Sequence, residues 1–252
     1  MNTPDSTTPG IDAYSRAIST LHEKVLSTQR DLLSKVAQKM TDTLLAGRRI
    51  FVFGTGHSHL LAEEGYARAG GLLSVVPILY SPLMLHESIP LSAKIERTPG
   101  LAPDILDRSG IRAGELLFIY SNSGVNLLPV EMALEARKRS ITTVTMGSLA
   151  FAKVAPLSSA GKRLADVCDF AIDNGGVPGD GIVPIPNLPN VGPTSTVIGA
   201  LIWNALVVET TSRLQQANGQ APVAVSFNMP NYKEHAASLA RNQSFTLAPD
   251  HL

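Results

Sequence analysis

The sequence holds a single cysteine, Cys168, so no disulfide can form within the chain and a secreted disulfide framework is excluded. It has no excess of charge: 21 Lys and Arg balance 21 Asp and Glu, for a formal net charge of zero. That removes the long-range attraction on which nucleic-acid and anionic-lipid binders rely, so neither partner is expected. Charge of any sign is scarce, at 17% of residues against about 25% in an average domain. Long hydrophobic runs are missing too. The longest, VIGALIWNALVV at residues 197–208, suits a buried helix and is too short to span a bilayer. The start, MNTPDSTTPG, carries Asp5 and no Lys or Arg before Arg16, which predicts no secretory leader and a cytoplasmic protein. No histidine, cysteine or carboxylate set has zinc-site spacing. His57 and His59 are two apart and point away from each other on a helix, so no metal is expected.

What remains is an apolar chain, with 44% hydrophobic residues and a mean hydropathy of +0.12. At 252 residues it buries about 70–75% of its unfolded surface and needs no metal or disulfide to fold. Residues 1–10 mix Pro4, Pro9 and Gly10 with Ser and Thr and read as a loose arm. Apolar residues then recur at Ile11, Tyr14, Ile18, Leu21, Val25, Leu32, Val36, Met40 and Leu44. These steps predict one long amphipathic helix over residues 11–46, ending at Gly47.

Strands and helices alternate over residues 47–220. Strands are expected at 48–54, 72–80, 115–121, 141–146 and 167–172, the second at an edge because of Pro77. Helices are expected at 58–69, 127–139 and 196–214. Strands apolar on both faces and separated by helices imply a parallel sheet covered on both sides. Residues 173–193 form a loop rich in glycine and proline, of a length that is usually functional. The tail, 221–252, holds a short helix near 232–242.

Three polar turns follow strands. Gly54-Thr55-Gly56-His57-Ser58-His59 opens a helix, where glycines admit a ligand to backbone amides and the helix start favours an anion. It is no dinucleotide fingerprint, because His59 stands at the third glycine. Ser121-Asn122-Ser123-Gly124-Val125-Asn126 also precedes a helix and forms an anion cradle without a lysine, so no nucleoside triphosphate is expected. Thr145-Met146-Gly147-Ser148 is the third. Each alone could be an ordinary strand-to-helix turn. Three together converge at the strand ends of a doubly wound fold, where ligands bind.

These turns resemble the pattern of the SIS (sugar isomerase) family, over residues from about 44 to 208. SNSGVN is similar to its S-x-S-G-x-T turn, with Asn126 in place of threonine. TVTMGS is similar to its next strand turn, and SAGKRLADVCD to a later segment. Thr194-Ser195-Thr196 before an apolar helix is similar to the N-acetylmuramic acid 6-phosphate etherases, although Val197 stands where those have arginine. The resemblance implies an α/β fold, a three-layer αβα sandwich around a five-stranded parallel sheet. It implies a phosphosugar ligand, its phosphate held by Ser121, Ser123 and backbone amides, with Gly56, Ser58, Asn122, Gly124, Asn126, Ser148, Ser195 and Thr196 as further contacts. It also implies a homodimer with the site near its interface, and so a second use for residues 11–46.

Aldose–ketose isomerisation needs a base to move a proton between C1 and C2, and an acid or base to open the ring. It needs no cofactor. Glu87, with His86 beside it, is the expected base, because a glutamate at similar spacing serves the isomerase domain of glutamine–fructose-6-phosphate transaminase. His57 or His59 would open the ring, and Glu63 could face the cleft, while Glu64 and Arg68 pair four apart. Asp180, in Gly179-Asp180-Gly181, could touch sugar hydroxyls or simply make an Asp-Gly turn. His235 could reach a neighbouring subunit's site or lie on the surface. An etherase-like lyase acting on an amino-sugar phosphate and a non-catalytic sugar-phosphate-binding regulator are the alternatives to an isomerase.

Overall fold

A computed structural model describes residues 10–241 and 244–249; nearly all of the expected N-terminal arm lies outside them. The chain opens with α1 (Gly10–Thr28) and α2 (Arg30–Leu45). These are two helices where one was expected, with a bend at Gln29. The helical pattern of bonding runs through it, since Gln29 N–H donates to the Val25 carbonyl and Leu33 N–H to that of Gln29. Apolar periodicity therefore continues across the bend and no glycine or proline marks it. The Gln29 side chain accepts from the backbone N–H of Asp173, a tertiary contact that no local pattern reports.

The α/β unit follows as β1 (Ile50–Gly54), α3 (His59–Glu64), β2 (Val75–Ile78), α4 (Ile89–Ile95), α5 (Ala102–Ser109), β3 (Leu116–Tyr120) and α6 (Leu127–Lys138). It continues with β4 (Thr142–Gly147), α7 (Leu149–Val154), α8 (Leu164–Val167), β5 (Phe170–Asp173), β6 (Gly181–Val183), β7 (Val191–Pro193), α9 (Ser195–Asn218) and α10 (Tyr232–Arg241). Strands β1 to β5 form one parallel sheet in the order β2-β1-β3-β4-β5, and β2 with its Pro77 is an edge, as expected. The expected loop at 173–193 contains the β6–β7 hairpin, and α4, α5, α7 and α8 have no counterpart in the sequence reading.

Side chains alternate across the sheet and build two cores. Ile50, Val52, Leu116, Phe118 and Tyr120 face α2, α3 and α9. Phe51, Phe53, Leu117 and Ile119 face α5, α6 and α8. This is the αβα sandwich. The helix expected at 196–214 spans Ser195–Asn218 and is, by length and composition, long enough to cross a membrane. Its Ile198, Ile202, Trp203, Leu206 and Leu214 are buried on the sheet, as in a core helix. Trp203 meets Phe118 and Tyr120 edge-on, at centroid distances of 5.2 and 6.3 Å.

Register fixes where the turns lie. Gly54 pairs with Tyr120, and Tyr120 with Met146, so the turns after β1, β3 and β4 leave the sheet at one level. Two of these positions admit no side chain. A Cβ on Gly54 would lie 2.2 Å from the Ser58 carbonyl oxygen, and one on Gly147 would lie 2.1 Å from that of Ser121.

Candidate functional site

The chain leaves β1 towards β2 on one side, while β3 pairs with β1 on the other, so the strand order switches between β1 and β3. A crevice at such a point is where open α/β sheets bind ligands. Here it is a cavity of about 850 Å³.

The turn after β1 supplies Thr55, Gly56, His57 and Ser58 to this cavity. Gly56 has φ +57°, in the region where a side chain is strained. His59 begins α3 and turns inward: it is buried, and its Nε2 lies 3.0 Å from Glu63 Oε1. Neither His59 nor Glu63 lines the cavity. Glu64 pairs with Arg68 at 3.0 Å, as expected, and accepts from Asn204.

The turn after β3 supplies Ser121, Asn122, Ser123 and Asn126. Gly124 shapes it rather than lining it, with φ +61°, its N–H donating to Ser121 Oγ and its carbonyl accepting from Leu164 N–H. Asn122 is fixed by the side-chain amide of Asn174 at 3.0 Å. Helix α6 then starts at Asn126 with no side chain capping it. Leu128 N–H is bonded to the Glu96 carbonyl and Pro129 has none, so the anion-binding capacity expected of this turn lies in the Ser121 and Ser123 hydroxyls and the backbone just before the helix. Tyr120 immediately precedes the cradle, and burial pushes its phenol well above the ordinary tyrosine range, so it adds no negative charge there.

Ser148 does not join the site. It is buried, donates to the Gly176 carbonyl at 2.6 Å and accepts from Phe151 N–H, which makes it the cap of α7.

Ser195 and Thr196, at the start of α9, line the cavity with Asp180. Asp180 accepts from Thr194 N–H and hydroxyl at 3.0 and 2.9 Å, and from Ser195 N–H and hydroxyl at 2.9 and 2.6 Å. Its backbone is left-handed, with φ +71°. Both readings of Asp180 thus meet: it sits at a turn and on the cavity, with its carboxylate engaged by the chain itself. Two long helices point their N-termini at this cavity. That of α9 already holds a carboxylate, and that of α6 does not.

The remaining acid on the cavity is Glu96, just beyond α4. Its side chain is 14% exposed, accepts from the Thr55 hydroxyl and lies 3.6 Å from Arg97. Its carbonyl accepts from Leu128 N–H in the first turn of α6, so Glu96 is anchored to both turns that frame the site. The sequence reading missed Glu96, Thr55 and Arg97. Glu96 lies in K-I-E-R-T-P-G, which carries no motif, and only a contact across 41 residues marks it. Glu87 and His86 stand outside the cavity lining, both exposed, with Glu87 accepting from Ser81 at 2.8 Å. His235 contacts the Val223 carbonyl of its own chain at 2.7 Å. Among the described residues no cluster of three potential ligands could hold a metal.

Comparison with known proteins matches this architecture. A model of the SIS domain matches residues 13–148. A UPF0309 protein of Geobacillus thermodenitrificans is 38% identical over 227 residues, 89% of this chain and 91% of that protein. A UPF0309 protein of Brucella canis is 40% identical over 210 residues, covering 81% and 86%. Among solved structures, a phosphoheptose isomerase from Francisella tularensis superposes with a TM-score of 0.55 at 12% identity, over 79% of this chain and 95% of its own. The Vibrio vulnificus NanR protein, complexed with ManNAc-6P, gives 0.51 at 16% identity, over 93% and 68%. At such identities the structural likeness is one of fold.

Proposed function

The chain belongs to the SIS domain family, and on that footing we propose that it is a cofactor-independent isomerase converting a 6-phosphosugar between aldose and ketose through an enediol. The observation that carries this reading is the pairing of a serine-bearing turn with a sheltered carboxylate in one cavity: Ser121, Ser123 and Asn126 ahead of α6, and Glu96 beside Thr55.

The phosphate sits on the Ser121–Asn126 turn, by its serine hydroxyls and backbone amides, which fixes the sugar by its far end. Glu96 removes the proton at C2 of the open-chain aldose. The electron pair forms the enediol as O1 takes up a proton; the carboxylic acid, whose proton exchanges with solvent, then protonates C1 while O2 loses its proton, giving the ketose. Thr55 orients the carboxylate by donating to it, and His57, on the same turn, assists ring opening. Neighbouring Ser58, Ser195 and Thr196 contact sugar hydroxyls.

Two other readings use the same cavity. A base at C2 would also start elimination of a C3 substituent, and the Ser195–Thr196 start of α9 keeps an etherase-like lyase in view. A regulator that binds without turnover is the other, favoured by the fold shared with the Vibrio protein complexed with ManNAc-6P. We also propose a cytoplasmic homodimer. The dimer is supported by apolar surface on two of the helices: Ile11 on α1 is 84% exposed and Val208 on α9 70%.

The deciding experiment screens phosphosugars by thermal shift and incubates the hits in D₂O under NMR. Deuterium at C1 or C2 with a new sugar supports the isomerase. Loss of a C3 group supports the lyase. Binding without exchange supports the regulator and overturns the first choice.

A further inference from the structure

Among the described residues none of α1 lines the cavity, yet one wall of the cavity depends on that helix. Asp180 and Pro193, both on the wall, belong to the excursion between β5 and α9, and Ser195 and Thr196 follow directly. The excursion has little of its own to hold it. Its β6–β7 hairpin pairs only within itself among the described residues, Gly181 with Pro193 and Val183 with Val191. A two-stranded hairpin is marginal in water, so this one takes its position from what it packs against.

It packs against α1, which grips the excursion at both ends. At the start, Gln29 at the end of α1 accepts from Asp173 N–H at 3.2 Å. Just beyond, a Cβ on Gly175 would lie 2.8 Å from Leu21 and from Val25, so the bare backbone rests on the helix. At the far end, the Tyr14 hydroxyl donates to the Pro193 carbonyl at 2.8 Å. The Tyr14 ring lies on Gly192, where a Cβ would come within 2.6 Å of it. The next two residues are Thr194 and Ser195, which donate to Asp180 through backbone and hydroxyl alike. Tyr14 thus fixes the chain one step before the wall begins.

We infer that Tyr14 is a positioning residue for the sugar end of the ligand: by holding Pro193 it sets where Asp180, Ser195 and Thr196 stand, so the docking of α1 and the seating of the sugar are coupled. This rests on the reading of the cavity as a phosphosugar site and adds to it a residue that never touches the ligand. Coupling of this kind is reciprocal, so a seated sugar tightens α1 in turn. The Ser121–Asn126 turn stands at the end of β3, and its hold on phosphate should survive the loss of Tyr14.

The test compares the unaltered chain with Tyr14→Phe and Tyr14→Ala. Calorimetry measures affinities for inorganic phosphate and for glucose, mannose and fructose 6-phosphates, and the quantity read is the ratio of phosphosugar to phosphate affinity. Tyr14→Phe keeps the ring and drops the tether, which should lower the ratio about three- to tenfold. Tyr14→Ala also uncovers Gly192 and should lower it further. Phosphate affinity itself should stay within about twofold. Hydrogen exchange supplies a second readout. At concentrations that raise the melting temperature equally, the phosphosugar should slow exchange in α1 and inorganic phosphate should not, and Tyr14→Phe should remove most of that difference. A tyrosine that only stabilised the fold would lower the melting temperature and move neither the ratio nor the difference between ligands. A ratio unchanged in both variants, or a sugar that binds without slowing exchange in α1, overturns this inference and spares the phosphosugar reading. If none of the three sugars binds more tightly than inorganic phosphate, the phosphosugar reading falls and the inference with it.

Discussion

The Thr55 hydroxyl donates to the Glu96 carboxylate, joining the turn after β1 to the end of α4 across 41 residues. This contact aims a sheltered acid into the cavity from a segment without any motif. Glu96→Gln keeps the shape and removes the base, so it should lower kcat by about a hundredfold or more, with KM little changed. Glu87→Gln should retain turnover, because Glu87 is exposed and outside the cavity lining. Steady-state rates on the sugar found by screening check both. Full activity in Glu96→Gln would remove Glu96 from the mechanism.

Ser123 tests the anion cradle rather than the chemistry. Ser123→Ala removes one hydroxyl from a charge-assisted contact, and affinity for a phosphosugar should fall about ten- to hundredfold. Calorimetry reads it directly. An unchanged dissociation constant would show that the phosphate lies elsewhere.

Asp180 is expected to matter for stability. Asp180→Ala leaves the first turn of α9 without its cap, a loss of about 1–2 kcal/mol. In a chain of this size the melting temperature should drop by about 2–8 °C. Scanning calorimetry measures it, and an unshifted transition would mean that water replaces the carboxylate at no cost.

Cys168 should resist alkylation. Loss of solvent pushes its thiol up to about 12, against a hydrogen bond from Thr143 that lowers it and the nearby Asp169 that raises it. Folded protein at pH 8 should react with iodoacetamide far more slowly than unfolded chain. The sign for stability follows. The folded state holds this proton more tightly, so stability falls as pH rises from the ordinary thiol range towards 12. Cys168→Ala should flatten that part of the profile, and rapid labelling of the native protein would contradict the assignment.

Val208→Glu tests the proposed dimer. It adds a charge to an exposed apolar position of α9 and should shift sedimentation from dimer to monomer without unfolding the chain. A species of unchanged mass would move the interface away from this helix.

The strands were legible because their signal is local. Runs such as IFVF and LLFIY are apolar on both faces, and Pro77 alone marks an edge. The Ser121–Asn126 turn that lines the cavity was legible for the same reason, since its residues are consecutive. Ser148 was misplaced although the turn was read, because a serine at a helix start can either cap it or face a ligand, and only the Gly176 carbonyl decides. The place of Glu96 on the cavity was illegible because it depends on Thr55 and on the first turn of α6, both distant in sequence. Glu87 carried a spacing argument, yet spacing cannot say on which side of the chain a loop leaves the sheet.

Asp180 has an effect beyond holding α9. With its carboxylate seated there, the start of α9 repels a second anion, so on the proposed reading an elongated ligand turns its phosphate away from α9 and towards the Ser121–Asn126 turn. Remove that carboxylate and the freed amides of α9 become a rival lure, letting the same molecule lie in either sense. The built-in anion thus works as a compass, giving direction to a site whose own walls carry no net charge bias.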